Sequence, residues 1–133
     1  MPDCIFCKIA AKEIPSHSVW ENDHFFAFLD KHPAQNGHLL IIPKAHAESV
    51  WALPEDLYTE LFSTAKALSA PLQKAIGSAR IGMVIEGFGM DHAHLHLIPI
   101  NHAHDLDSTN AKSVPDEELA ANAAAIKQEI NKQ

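Results

Sequence analysis

Three histidines at a spacing of two, in His92-Ala93-His94-Leu95-His96-Leu97, form the densest group of reactive side chains in this sequence. In a β-strand that spacing sets the imidazoles on one face about 6.6–6.8 Å apart and turns Ala93, Leu95 and Leu97 towards a core. On a helix the same residues would scatter around the axis. Neutral imidazole can act as metal ligand, nucleophile or general acid near pH 7, so a metal site and a nucleophile with acid–base helpers are both open. A second pattern, Cys4-x-x-Cys7, has the separation of a metal knuckle or a redox pair. These are the chain's two cysteines, too few for a disulfide scaffold.

The chain that must position these groups has 133 residues, 47% of them hydrophobic and 20% charged, the balance of an ordinary globular domain. One domain is expected over residues 1–133, with its core at about 4–99 and a helical extension over about 100–133. Ten Lys and Arg against 17 Asp and Glu give a net charge of −7, which argues against a nucleic-acid polymer as partner. No apolar run is long enough to cross a membrane, and the N-terminus lacks a signal-peptide pattern, so a reducing, cytoplasmic setting is expected.

Residues 4–14 place Ile5, Phe6, Ile9 and Ala10 on one helical face before Pro15 ends the segment. SVWEN and HFFAFLD, rich in β-branched and aromatic residues and separated by Asn22 and Asp23, read as a hairpin. KHPAQNG then leads into a buried strand, HLLIIP. From Pro54 the period changes, and Leu57, Leu61, Phe62, Ala65, Leu68 and Leu72 form the stripe of an amphipathic helix, with a kink or break expected near Ala70 because of Pro71. ARIGMVIEG and HAHLHLIPI follow as strands around GFGMD, then a polar stretch over 101–113 and a last helix from Pro115. This order predicts an α+β fold, a five-stranded antiparallel sheet with helices on one face.

HAHLHLIP resembles the His-x-His-x-His motif, with x apolar, of the histidine triad (HIT) family of nucleotide-binding hydrolases and transferases. The upstream run CIFCKIAAKEIPSHSVWENDHFFAFLDKHPAQNGHLLIIPKAH is similar to the N-terminal half of that family, so the likeness spans about residues 4–99. His96 at the third triad position, rather than Gln, resembles the hydrolase branches.

The resemblance implies a homodimer that hydrolyses purine nucleoside phosphoramidates or dinucleoside polyphosphates. It makes His94 the nucleophile that forms a covalent nucleotidyl-histidine, sets His96 to hydrogen-bond the phosphate or assist the leaving group, and places His38 beside them. Asp30 takes the place of the carboxylate that accepts both ribose hydroxyls. Ile5, Phe6, Ile9, Phe28 and Leu29 match the positions that sandwich the base. In one bacterial branch the C-x-x-C, the His of Pro-Lys-x-His and the first triad His bind zinc. That implies a closed, structural zinc site of Cys4, Cys7, His46 and His92.

Two places depart from the family pattern. Phe88-Gly89-Met90-Asp91 stands where many family hydrolases carry Gly-Gln-Ser or Gly-Gln-Thr, and Ile85 where Asn is frequent. Asp91 would repel a phosphate if it faced the site, or would orient a histidine from behind. These departures raise an alternative, a nucleotide-binding adaptor or regulatory protein with little turnover. His102 and His104 read as part of a solvated loop, and His17, His24 and His32 fall in turns or at strand ends, with no role assigned.

Overall fold

The computed structural model describes residues 4–132 and contains a five-stranded antiparallel sheet in the order β1-β2-β3-β5-β4. β1 (Ser18–Glu21) and β2 (Phe25–Leu29) form the expected hairpin, whose turn is held by the Asn22 side-chain oxygen accepting from the His24 and Phe25 amides at 2.9 and 2.7 Å. β3 (Leu39–Pro43) is entered through Gly37, which has φ +83° and sits so close to Ile76 that a Cβ would meet it at 2.6 Å. β4 (Arg80–Val84) lies at one edge and β5 (Leu95–Ile100) between β3 and β4.

β2 and β3 are buried along their whole length because both faces are covered. Phe25, Ala27, Leu29, Leu39, Ile41, Leu95 and Leu97 join Leu61, Ala65, Leu68 and Leu72 of α2 (Glu55–Ile76) and Leu119, Ala123 and Ile126 of α3 (Asp116–Asn131) in the main core. Phe26, Phe28, Leu40 and Ile42 point the other way, onto Ile9 and Ala10 of α1 (Ile5–Ala10). The two long helices thus gather on one face, as expected, and α1 takes the other. At six residues α1 is too short to span the sheet, and the histidines occupy the face it leaves open.

Three boundaries differ from the sequence reading. α1 stops at Ala10 rather than near Pro15, because the Glu13 and Lys12 amides turn back to the Lys8 and Ile9 carbonyls at 2.9 and 3.0 Å and Lys12 takes φ +65°. This is a Schellman ending with lysine at the position glycine usually fills. α2 runs unbroken through Pro71: the carbonyl freed by the missing N–H belongs to Ala67, which is exposed and can bond to water. β5 begins only at Leu95, so His92 and His94 precede the strand, where the Ala93 amide bonds to the Ala47 carbonyl at 2.7 Å instead of joining the ladder. The alternation survives this, since Ala93, Leu95 and Leu97 all enter the main core.

Candidate active site and metal centre

Strand register places Phe28, Leu40, His96 and Val84 side by side on the α1 face. His94 lies one alternation earlier on the chain, its ring 5.2 Å from that of His96 and edge-on to Phe6 at 5.4 Å. His38 enters from the end of the β2–β3 connection, where the Asp30 amide donates to the His38 carbonyl at 3.0 Å.

Backbone groups fix the tautomers of His94 and His38, and His38 in turn fixes that of His96. His94 Nδ1 lies 2.7 Å from the His92 carbonyl, which can only accept, so Nδ1 carries the proton and the lone pair is on Nε2. The Ala34 amide donates to His38 Nδ1 at 3.0 Å, which puts the His38 proton on Nε2. That proton is donated to His96 Nδ1 at 2.8 Å, leaving His96 with its own N–H at Nε2. The Asp30 carboxylate stands 3.7 Å from His38 Nε2 and uses its other oxygen to accept from the His32 amide at 2.9 Å.

Burial holds His38 below the ordinary imidazole range, partly offset by the Asp30 carboxylate. His96 is pushed down to about 4, first by burial and then by the neighbouring His38 and His94 rings. Both rings are neutral at pH 7, as the tautomer chain requires. Unfolded imidazoles titrate near 6.5, so the unfolded chain takes up protons first: stability is full above about pH 6.5 and is lost as pH falls from there towards 4. Allowing for solvent screening, His96 alone accounts for about 2 kcal/mol of that loss. Urea midpoints between about pH 7.5 and 4.5 check this. The double variant His38→Asn/His96→Asn should show a shallower decline, and an unchanged slope would contradict the assignment.

A cavity of about 460 Å³ opens on this face, lined by the apolar Ile5, Phe6, Ile9 and Phe28 together with Asp30, His94 and His96. Leu29 also lines it, but its side chain belongs to the main core on the opposite face. Sequence reasoning missed Ile14, His17, Glu86, Phe88 and Met90 in the wall. The available signal was the GFGMD segment, which carries a large aromatic between two glycines; Phe88 is 83% exposed. His17 was given no role, and its ring lines the mouth while bonding to Asp116 at 2.8 Å. Asp91 is exposed, does not line this cavity, and makes no side-chain hydrogen bond among the described residues.

The second constellation gathers where α1 meets the entry to β5. Ligand atoms of Cys4, Cys7, His46 and His92 all lie within 4.8 Å of one another. His92 Nδ1 is 3.3 and 3.4 Å from the Cys4 and Cys7 sulfurs, and His46 Nδ1 is 3.3 Å from Cys7 Sγ. A tetrahedral zinc ion with two thiolates and two imidazoles sets sulfur and nitrogen about 3.6 Å apart, so the convergence fits that ion. The tautomer fits too: His92 Nε2–H donates to the Pro43 carbonyl at 2.8 Å, freeing Nδ1 as a ligand, and burial keeps the ring neutral.

The model of the HIT domain family matches residues 11–103. A HIT-like protein of Borreliella burgdorferi is 40% identical over 74% of this chain and 76% of its own length. The adenosine 5'-monophosphoramidase of Saccharomyces cerevisiae is 38% identical over 72% of this chain and 61% of its own length. The crystal structure of a hypothetical histidine triad nucleotide-binding protein from Sulfolobus tokodaii superposes with a TM-score of 0.87 at 28% identity, covering 97% of this chain and 93% of that one.

Proposed function

The chain belongs to the HIT domain family, and from that premise we propose that it hydrolyses purine nucleoside phosphoramidates or dinucleoside polyphosphates through a nucleotidyl-His94 intermediate. The observation that carries this reading is the orientation of His94, whose engaged Nδ1–H leaves the Nε2 lone pair to a ring that lines the cavity.

In this reading the base lies among Ile5, Phe6, Ile9 and Phe28, with Leu29 contributing backbone, and Asp30 accepts the ribose hydroxyls. The Nε2 lone pair bonds to the α-phosphorus. The bond from phosphorus to the leaving nitrogen or oxygen breaks with its electron pair on that atom, which takes a proton from water. Water then attacks phosphorus, the P–N bond returns its pair to Nε2, and the attacking water gives up a proton that replaces the one the leaving group drew from solvent. Neutral His96 donates its Nε2–H to a phosphate oxygen, and His38 holds the tautomer that makes this possible. Cys4, Cys7, His46 and His92 would hold a zinc ion whose role is to tie α1 to the sheet, since four protein ligands leave it no open position.

β4 is an edge strand with Met83 43% exposed, which supports pairing with a second copy in a homodimer. No helix among the described residues is long and apolar enough to cross a membrane, and the thiol ligand pair suits a reducing compartment such as the cytoplasm.

Incubation with an adenosine 5'-phosphoramidate and a diadenosine polyphosphate, with AMP binding measured in parallel, tests the reading: AMP must appear as product. Asp30→Asn is expected to weaken AMP binding roughly tenfold and to have no such effect on a 2',3'-dideoxy analogue. Equal losses for both sugars would remove Asp30 from the ribose site. A second reading, an adaptor that binds nucleotide with little turnover, is favoured by one observation: Ser16 is the only hydroxyl among the described residues lining the cavity, and it lies outside the 87–91 segment. Binding of AMP without product would identify it.

A further inference from the structure

A second cavity, about 380 Å³, adjoins the first and shares Asp30, Glu86 and His96 with it. His96 stands between the two: Leu40 flanks it on the side of the nucleoside cavity and Val84 on the side of the second. A nucleotide held in the first cavity has its phosphorus at that boundary, so the group beyond the phosphorus is directed into the second.

The outer wall of this cavity comes from Leu106, Asp107, Ser108 and Ala111, which lie beyond the segment 11–103 matched by the family model. It is firmly built. The Asp105 carboxylate accepts from the Asn101 and His102 amides at 2.8 Å each, and the Asn110 side chain donates to the His104 carbonyl at 2.9 Å. The Gln35 side chain ties the loop down by donating to the Asp105 carbonyl at 3.2 Å. Leu106 seats on Gly82 of β4 so closely that a Cβ there would lie 2.6 Å from it. The wall has one sign of charge. The Thr109 amide and hydroxyl both donate to Asp107 at 2.9 Å and hold its carboxyl below the usual range, Asp30 and Glu86 add two more carboxylates, and among the described residues no Lys or Arg lines the cavity.

We propose that this second cavity receives the leaving group, and that Asp107 and Glu86 set its specificity by admitting amines that carry positive charge and turning away polyphosphate chains. The proposal rests on the hydrolase reading above and narrows its two substrate classes to the phosphoramidates. Asp107 and Glu86 are both solvent-exposed, so their field is screened but of one sign: it repels a like charge entering the cavity and draws in a cationic amine.

The test compares two adenosine 5'-phosphoramidates whose leaving amines differ only at the far end, one an ammonium and the other a carboxylate, alongside diadenosine tetraphosphate. For the wild type, kcat/KM should favour the ammonium substrate roughly tenfold, and the preference should shrink in high salt. Asp107→Lys should invert it, and Glu86→Gln should reduce it about threefold. AMP affinity, which reports on the first cavity, shows that Asp107→Lys is folded; for Glu86→Gln, whose residue lines both cavities, an unchanged Tm shows it. Equal kcat/KM for both amines in the wild type and in Asp107→Lys would overturn the leaving-group assignment while turnover upheld the hydrolase reading. AMP binding with no turnover of any substrate would overturn the hydrolase reading, and this proposal with it.

Discussion

Replacing His94 with alanine is expected to lower turnover of an adenosine 5'-phosphoramidate by at least about 10⁴-fold. The proposed zinc site and the fold should persist, because His94 is neither a member of the Cys/His cluster nor part of the main core. The variant leaves the buried His92 carbonyl without its donor, which costs about 1 kcal/mol of stability. A second substitution separates that structural cost from the chemistry. The amide of His94→Asn can still donate to the His92 carbonyl but offers no nucleophilic nitrogen, so its turnover should be as low as that of His94→Ala while its stability recovers. Substantial activity in His94→Asn would mean that the ring only positions its neighbours.

Removing the zinc ion proposed for the Cys4, Cys7, His46 and His92 cluster should be the largest single perturbation of stability. Cys4 caps the N-terminus of α1, and its sulfur accepts the Cys7 amide at 3.4 Å. Between the two cysteines, Phe6 packs edge-on against Phe28, His92 and His94 at 5.7, 5.9 and 5.4 Å. Without zinc, a six-residue helix is left to the packing of Phe6, Ile9 and Ala10 against the sheet. At a thousandfold excess of zinc over its dissociation constant, the metal contributes about 4 kcal/mol. Chelation, or Cys4→Ser with Cys7→Ser, should therefore lower Tm by an amount on the order of 10 °C. AMP binding should weaken as well, since Ile5, Phe6 and Ile9 of the base cavity all come from α1. By linkage, saturating AMP should tighten zinc binding by the same factor. In enzyme assays KM should rise more than kcat falls. Loss of kcat with Tm unchanged would instead make the metal a participant in the chemistry.

Much of this was legible in the sequence because local rules and tertiary demands agree. Period-two alternation identified the core-facing side of 92–97 even though the strand proper starts later, since burial of Ala93, Leu95 and Leu97 depends on facing and not on ladder bonds. The stripe from Leu57 to Leu72 gave α2, while the effect of Pro71 depended on the exposure of the Ala67 carbonyl, which no sequence window contains. The end of α1 was missed because a left-handed lysine closes it where glycine is the usual sign. Ile5, Phe6, Ile9, Phe28, Asp30, His94 and His96 line one cavity, His38 lines the adjoining one, and Cys4, Cys7, His46 and His92 converge. The wall formed by Glu86, Phe88 and Met90 was not seen, nor was the outer wall at 106–111: both are irregular segments whose course is set by distant contacts such as Leu106 on Gly82.

The covalent role proposed for His94 is tested most directly by trapping the nucleotidyl adduct. Phosphorus–nitrogen bonds to histidine survive alkali, so protein quenched in base during steady-state turnover can be weighed intact and then digested. One nucleotidyl group per active chain, mapped to His94 and absent from His94→Asn, is the predicted result. Full turnover with no adduct, or with the adduct on another residue, would contradict it.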